Sequence, residues 1–129
     1  MDYHAQLASP VRTVFARLAA PARLGEWLRE VVISPAAPPP SGTIGEPFAL
    51  TVRIDAAETD ATAELTVFEP PWLVGYRLAA GSRTYLLRAT CTAHDGGTRI
   101  HVHQASDGAP LTVDLDRLKL ALAGRKPEQ

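Results

Sequence analysis

A chain of 129 residues, 46% of them hydrophobic, is long enough for one ordinary globular domain and too short for two. Its formal charge of −1, with both signs mixed along the chain, offers no field for a phosphate backbone or an anionic lipid surface, which argues against nucleic acid as a partner. One cysteine, Cys91, excludes an intramolecular disulfide, and no apolar run reaches the length that crosses a bilayer, so no membrane insertion is expected.

The opening MDYHAQLASPVRTVF lacks a basic stretch followed by an apolar signal core, and the chain reads as cytoplasmic. Tyr3, Ala5 and Leu7 alternate with His4, Gln6 and Ala8, the period of a half-buried strand. Ser9 is a suitable N-cap with Pro10 at the first helical position. Val11, Val14, Phe15 and Leu18 then recur at helical spacing, and a second helix starting at Pro21 carries Leu24, Trp27, Leu28 and Val31 on one face. This predicts a helix pair over Val11 to Val32. The prolines of SPAAPPPSGTIG, residues 34–45, forbid both helix and central strand, so the segment is predicted as a surface connection.

Strands dominate the middle of the chain. Phe48, Leu50, Val52 and Ile54 alternate against Ala49, Thr51 and Arg53; AAETDA reads as a polar turn; ATAELTVF returns, and Glu69-Pro70-Pro71 ends it because proline removes ladder donors. WLVGYRL and TYLLRATCTA are two further strands, separated by Ala79 to Ser82. The turn His94-Asp95-Gly96-Gly97 leads into TRIHVHQ with the residues that supply the positive dihedrals of a hairpin turn. Leu111, Leu115, Leu118 and Leu122 form a terminal helical stripe, with Asp114 and Asp116 near its start and Lys119 and Arg125 toward its end, as the helix dipole prefers. That helix is predicted from Leu111 to a stop at Gly124. The sum is an α+β architecture: a six- or seven-stranded antiparallel sheet curved around the terminal helix, with two short helices after the first strand.

This order resembles the START-like or SRPBCC superfamily, whose members have the helix-grip fold, and the likeness covers essentially all 129 residues. ASPVRTVFARLAAPARLGEWLREV is similar to the family's opening pattern P..VF..L.dP..l..W, with Phe15, Pro21, Leu24 and Trp27 at its recurrent positions. Pro70-Pro71 before Leu73-Val74, and Gly97-Thr98-Arg99-Ile100, match two more recurring patterns. These are packing and turn motifs and carry no chemistry. The nearest likeness is to small bacterial polyketide cyclase/dehydrase-like and chaperone-ATPase-activator-like proteins, from which the chain departs in its short terminal helix.

Residues that could carry chemistry are few. His101 and His103 share a strand face opposite to Ile100 and Val102, so their imidazoles are predicted to meet solvent, and without a third ligand they make no zinc site. His4 and His94 fall at no recognisable spacing. Cys91, midway along an apolar strand, reads as a buried structural thiol, and Arg53, Arg77 and Arg88 have outward parity. No cofactor, metal or catalytic residue is predicted. On the inner face, Tyr76 aligns with Val74 and Leu78, and Tyr85 with Leu87, Ala89 and Cys91, while Trp27 closes one end from the helix pair. These aromatics either fill the core or line a pocket with Ala89 and Leu118. Gln104 continues the Ile100 and Val102 face, as a polar group in an apolar wall or as a solvated strand end.

The expected function is therefore binding or carriage of a small hydrophobic or aromatic molecule, with Trp27, Tyr76, Tyr85, Ala89, Gln104 and Leu118 as the lining. The resemblance also implies two alternatives: a cyclase or dehydratase-like enzyme, for which no inward carboxylate exists since Glu64 faces outward and Glu69 sits at a turn, or an interaction protein resembling activators of the chaperone ATPase. The residues leave a protein partner or a homodimer open.

Overall fold

Seven strands form one antiparallel sheet in a computed structural model that describes residues 1–33 and 43–123. In chain order they are β1 (Asp2–Leu7), β2 (Val31–Ile33), β3 (Phe48–Ile54), β4 (Ala57–Glu69), β5 (Leu73–Ala80), β6 (Arg83–His94) and β7 (Gly97–Ser106). The spatial order β1-β7-β6-β5-β4-β3-β2 shows that β3 to β7 make a meander of hairpins, while β1 returns to the far edge beside β7. Two helices complete the fold, α1 (Val11–Leu18) and α2 (Leu115–Leu122), with a 3₁₀ helix at Pro21–Glu26. This is the α+β architecture expected from the order of elements, and the helix-grip fold that the family resemblance implies.

The alternation places one face of every long strand in the core. Phe48, Leu50 and Val52 of β3, Ala61, Ala63 and Leu65 of β4, and Val74, Tyr76 and Leu78 of β5 are buried, and so are their counterparts on β6 and β7. The opposite parity is solvated, including Arg53, Arg77 and Arg88. Burying one stripe of each strand leaves the concave face apolar and in need of cover. α1 lies against β6 and β7, and α2 against β1 and the 3₁₀ helix. Phe15 and Phe68 tie α1 to β4, with ring centroids 5.7 Å apart.

Curvature has a local cause. The pairing of β4 with β5 slips between Leu65 and Val67, an extra residue that bends the strand. Opposite the slip lies Gly75, where a Cβ would come within 2.7 Å of both Thr66 Oγ1 and Val67 Cγ1, so only glycine lets the strands approach there. The β6–β7 hairpin turns through Asp95 and Gly96, both at positive φ, as predicted.

Four expectations shift. Pro10, not Ser9, is the N-cap of α1, and no side chain caps it; the Ser9 carbonyl instead accepts from Thr98 Oγ1 at 2.8 Å. The predicted turn AAETDA is strand from Ala57 onward. Asp55 and Ala56, at φ 53° and 64°, make the two-residue turn with no glycine to announce it. The second helix is only the 3₁₀ helix. Trp27 closes it, and Val31 belongs to β2, because the intervening backbone pairs elsewhere: Leu28 bridges Val113, and Arg29 N–H donates to Thr112 O. The terminal helix begins at Leu115, with Leu111 to Asp114 outside it, and Asp114 is its N-cap, accepting from Arg117 N–H at 3.0 Å. Gly124 and residues 34–42 lie outside the described residues.

The outer face where β1 meets β7 carries the paired residues Asp2↔His103 and His4↔His101. The rings of His4 and His101 stack 4.6 Å apart, and Asp2 Oδ1 takes His101 Nε2 at 2.7 Å and His103 Nδ1 at 3.0 Å. All four face solvent, as their parity implied. Hydrogen bonds from His101 and then His103 hold the Asp2 carboxyl down at about 2. A carboxyl depressed below its unfolded value contributes stability above the ordinary carboxylate range, lost as pH falls through about 2. An NMR titration of Asp2 is expected to show that low midpoint and to return to an ordinary one in the double variant His101→Ala, His103→Ala. An unshifted midpoint in the wild type would dismiss the cluster.

Candidate functional site: the concave face

The six residues expected to line a site come from four elements and the 3₁₀ segment, and all are nearly inaccessible: Trp27 0%, Tyr76 1%, Tyr85 1%, Ala89 1%, Gln104 2% and Leu118 0% exposed. They belong to one continuous core cluster. Strand register explains why, since Tyr76 pairs with Leu87, Leu87 with Gln104, Leu78 with Tyr85, and Ala89 with both Val74 and Val102, all on one face. Trp27, at the end of the 3₁₀ helix, meets that face with its ring centroid 6.2 Å from Tyr76.

Their polar atoms differ. Tyr76 donates its hydroxyl hydrogen to Leu18 O at 2.8 Å, which ties β5 to the end of α1. Burial pushes its phenol well above the usual value, so the group keeps its proton and holds it on a carbonyl. Gln104 uses both ends of its amide on one residue: Nε2 donates to Leu111 O at 2.9 Å, and Oε1 accepts from Leu111 N–H at 2.8 Å. It clips the approach to α2 onto β7. The Tyr85 hydroxyl has no partner among the described residues. Trp27 Nε1–H is buried and also lacks a partner, an uncommon state for a fully desolvated indole.

Cys91 lies on the same floor at 1% exposure, and burial pushes its thiol up to about 12, far from a thiolate nucleophile. Among the described residues no group of three His, Cys, Asp or Glu is placed to hold a metal ion, and no helix is long and apolar enough to cross a membrane. The floor also carries small side chains: Ala61 of β4 pairs with Ala80 of β5, Ala63 lies two residues farther along β4, and Ala89 lies on β6.

Among the described residues, two open hollows of note lie away from this floor. One, of about 420 Å³, is lined by Ala22, Arg23, Gly25, Glu26, Val31, Val32 and Arg117. The other, of about 360 Å³, sits at the β6–β7 turn against Gln6 to Ala8. Sequence reasoning did not reach Arg117, which reads as one more basic residue on the polar side of a helix.

A family model described as polyketide cyclase / dehydrase and lipid transport matches residues 1–125. The chain belongs to that family. Its place in the START-like, SRPBCC superfamily agrees with the sheet that curls around a terminal helix. Solved structures share the fold of this cyclase/dehydrase and lipid-transport family member at low identity. Protein CV1439 from Chromobacterium violaceum superimposes with a TM-score of 0.70 at 13% identity, covering 99% of this chain and 97% of that one. Ara h 8.0201 gives 0.68 at 15% identity, with 97% of each chain covered. DynU16, a protein of the dynemicin biosynthetic locus, gives 0.59 at 17% identity, with 96% of this chain but 42% of that one covered. No curated protein matches the sequence.

Proposed function

We propose that this family member binds a small hydrophobic or aromatic molecule between the concave face of the sheet and α2, against Trp27, Tyr76, Tyr85, Ala89, Gln104 and Leu118. The observation that carries the reading is the buried, unpartnered Trp27 Nε1–H beside Tyr76. A desolvated donor left unpaired costs about 1–3 kcal/mol, which an acceptor on a bound ring would recover. Aromatic faces, small alanines and very few polar groups are what an apolar ligand site requires. The family's description, with lipid transport in it, supports the same class of cargo.

Proton-transfer chemistry of the cyclase or dehydratase kind has less support from these side chains. The Tyr76 proton is engaged by Leu18 O, and the Cys91 thiol is held neutral, which leaves the Tyr85 hydroxyl as the one inner-face phenol without a partner among the described residues. General acid–base work needs a group of suitable pKa in reach of the reacting atom.

An environment-sensitive apolar dye is expected to bind with a Kd near the micromolar range, about −8 kcal/mol, and Ala89→Phe, which fills the floor, is expected to weaken it at least tenfold. Far-UV circular dichroism checks that the variant is folded. Unchanged dye affinity in folded Ala89→Phe would end the assignment of this site.

A further inference from the structure

Where α2 meets the 3₁₀ helix and β2, the 420 Å³ hollow opens beside a cation that makes no ion pair among the described residues. Arg117 lines it. Its Nε is buried and unpartnered, and its guanidinium makes no hydrogen bond or ion pair with any described residue. The nearby acids are occupied. Asp114, which feels the charge of Arg117, is bound by Arg29 Nε at 2.6 Å and by the Arg117 backbone N–H at 3.0 Å. Partial burial works to raise the Asp114 carboxyl, but the bonds from Arg29 and Arg117 outweigh it, so it stays ionised and engaged. Glu26, also at the hollow, is held by Arg17 at 2.9 Å and by Arg23 at 2.8 Å. The lining thus presents two guanidiniums, from Arg23 and Arg117, against one carboxylate already shared between two arginines.

The rest of the wall is apolar or small: Ala22, Gly25, Val31 and Val32, with Val32 39% exposed. We propose that this hollow is a binding site for the carboxylate of a small amphipathic acid, with the Arg117 guanidinium taking the anion and Ala22, Val31 and Val32 the alkyl part. A guanidinium's planar fork matches a carboxylate in two parallel hydrogen bonds, and such charge-assisted bonds are strongest where the donor is already partly desolvated. The site stands independently of any ligand on the concave face. Its walls are nevertheless chain neighbours of that face, since Glu26 precedes Trp27 and Arg117 precedes Leu118.

The test follows the Arg117 side-chain Nε–Hε resonance in assigned NMR spectra while hexanoate, hexanol or inorganic phosphate is added to the full chain. Hexanoate is expected to shift it saturably. Hexanol at equal concentration should not, and phosphate, lacking the alkyl part, should bind at least about tenfold more weakly. Arg117→Gln is expected to weaken hexanoate at least about tenfold, followed at the Val31 and Val32 methyls, while Arg117→Lys retains part of the affinity through charge alone. No saturable shift with hexanoate, equal binding of hexanol, equal binding of phosphate, or unchanged affinity in folded Arg117→Gln would each overturn the proposal. The three wild-type titrations decide even if a variant does not fold, and the dye experiment on Ala89→Phe tests the concave site separately.

Discussion

Trp27→Ala is expected to lower the free energy of unfolding by about 3–5 kcal/mol, a large share of the roughly 5–15 kcal/mol that holds a domain together. Trp27 is 0% exposed, packs on Tyr76 and sits where three parts of the chain meet. Its carbonyl accepts from Asp114 N–H at 2.9 Å, so the indole anchors the same backbone that starts α2. Truncation removes the transfer free energy of the ring and leaves a void that a seven-stranded sheet cannot close by collapse. The internal control is Trp72→Ala. That side chain is 50% exposed beside the Pro70–Pro71 turn, and its loss is expected to stay within roughly 0.5 kcal/mol. Denaturant unfolding of the two variants measures the difference, and similar losses from both would contradict the placement of Trp27 in the core.

Gln104→Leu keeps the volume of the side chain and deletes its amide, and it is expected to cost about 2–4 kcal/mol. The loss arises because Leu111 N–H and Leu111 O are both buried against Gln104 and would have no replacement partner in an apolar wall. Hydrogen exchange gives the specific readout. Leu111 N–H should exchange at close to the rate of global opening in the wild type and far faster in the variant. If Leu111 remained equally protected in Gln104→Leu, the amide would not be what holds the approach to α2.

Much of this was legible in the residues because a strand buried on one face must alternate. Phe48 to Ile54, Val74 to Leu78, Tyr85 to Cys91 and Ile100 to Gln104 each carry their own inside and outside, and no distant contact is needed to read it. The same parity brings Tyr76, Tyr85, Ala89 and Gln104 to one face, although it does not say whether Gln104 ends in a wall or in water. The amide is 2% exposed because Leu111 lies seven residues along the chain and folds back onto it.

The boundaries are a different matter. A helical stripe at Leu111, Leu115, Leu118 and Leu122 predicts four residues too many at its start. The first of them are drawn out of the helix by Gln104 and by the bridge between Val113 and Leu28. The stripe at Leu24, Trp27, Leu28 and Val31 fails for the same reason from the other side: the residues that would continue the helix hydrogen-bond to residues 112–114 and to β3 instead. Local spacing records which side chains must be buried, whereas the backbone of a marginal helix takes whichever partners the whole fold presents.

Composition and period alone thus determined the α+β class, the inward face of the long strands, the β6–β7 turn and the lack of an intramolecular disulfide partner for Cys91. Only the tertiary structure decided where each helix ends, that Tyr76 and Gln104 are bound by Leu18 and Leu111, and that Trp27 Nε1–H and Arg117 Nε–H have no partner among the described residues. The physical reason is range. Side-chain periodicity is a property of consecutive residues, while the satisfaction of a buried polar atom depends on groups 7 to 58 residues away in the chain, which only folding brings within hydrogen-bond reach.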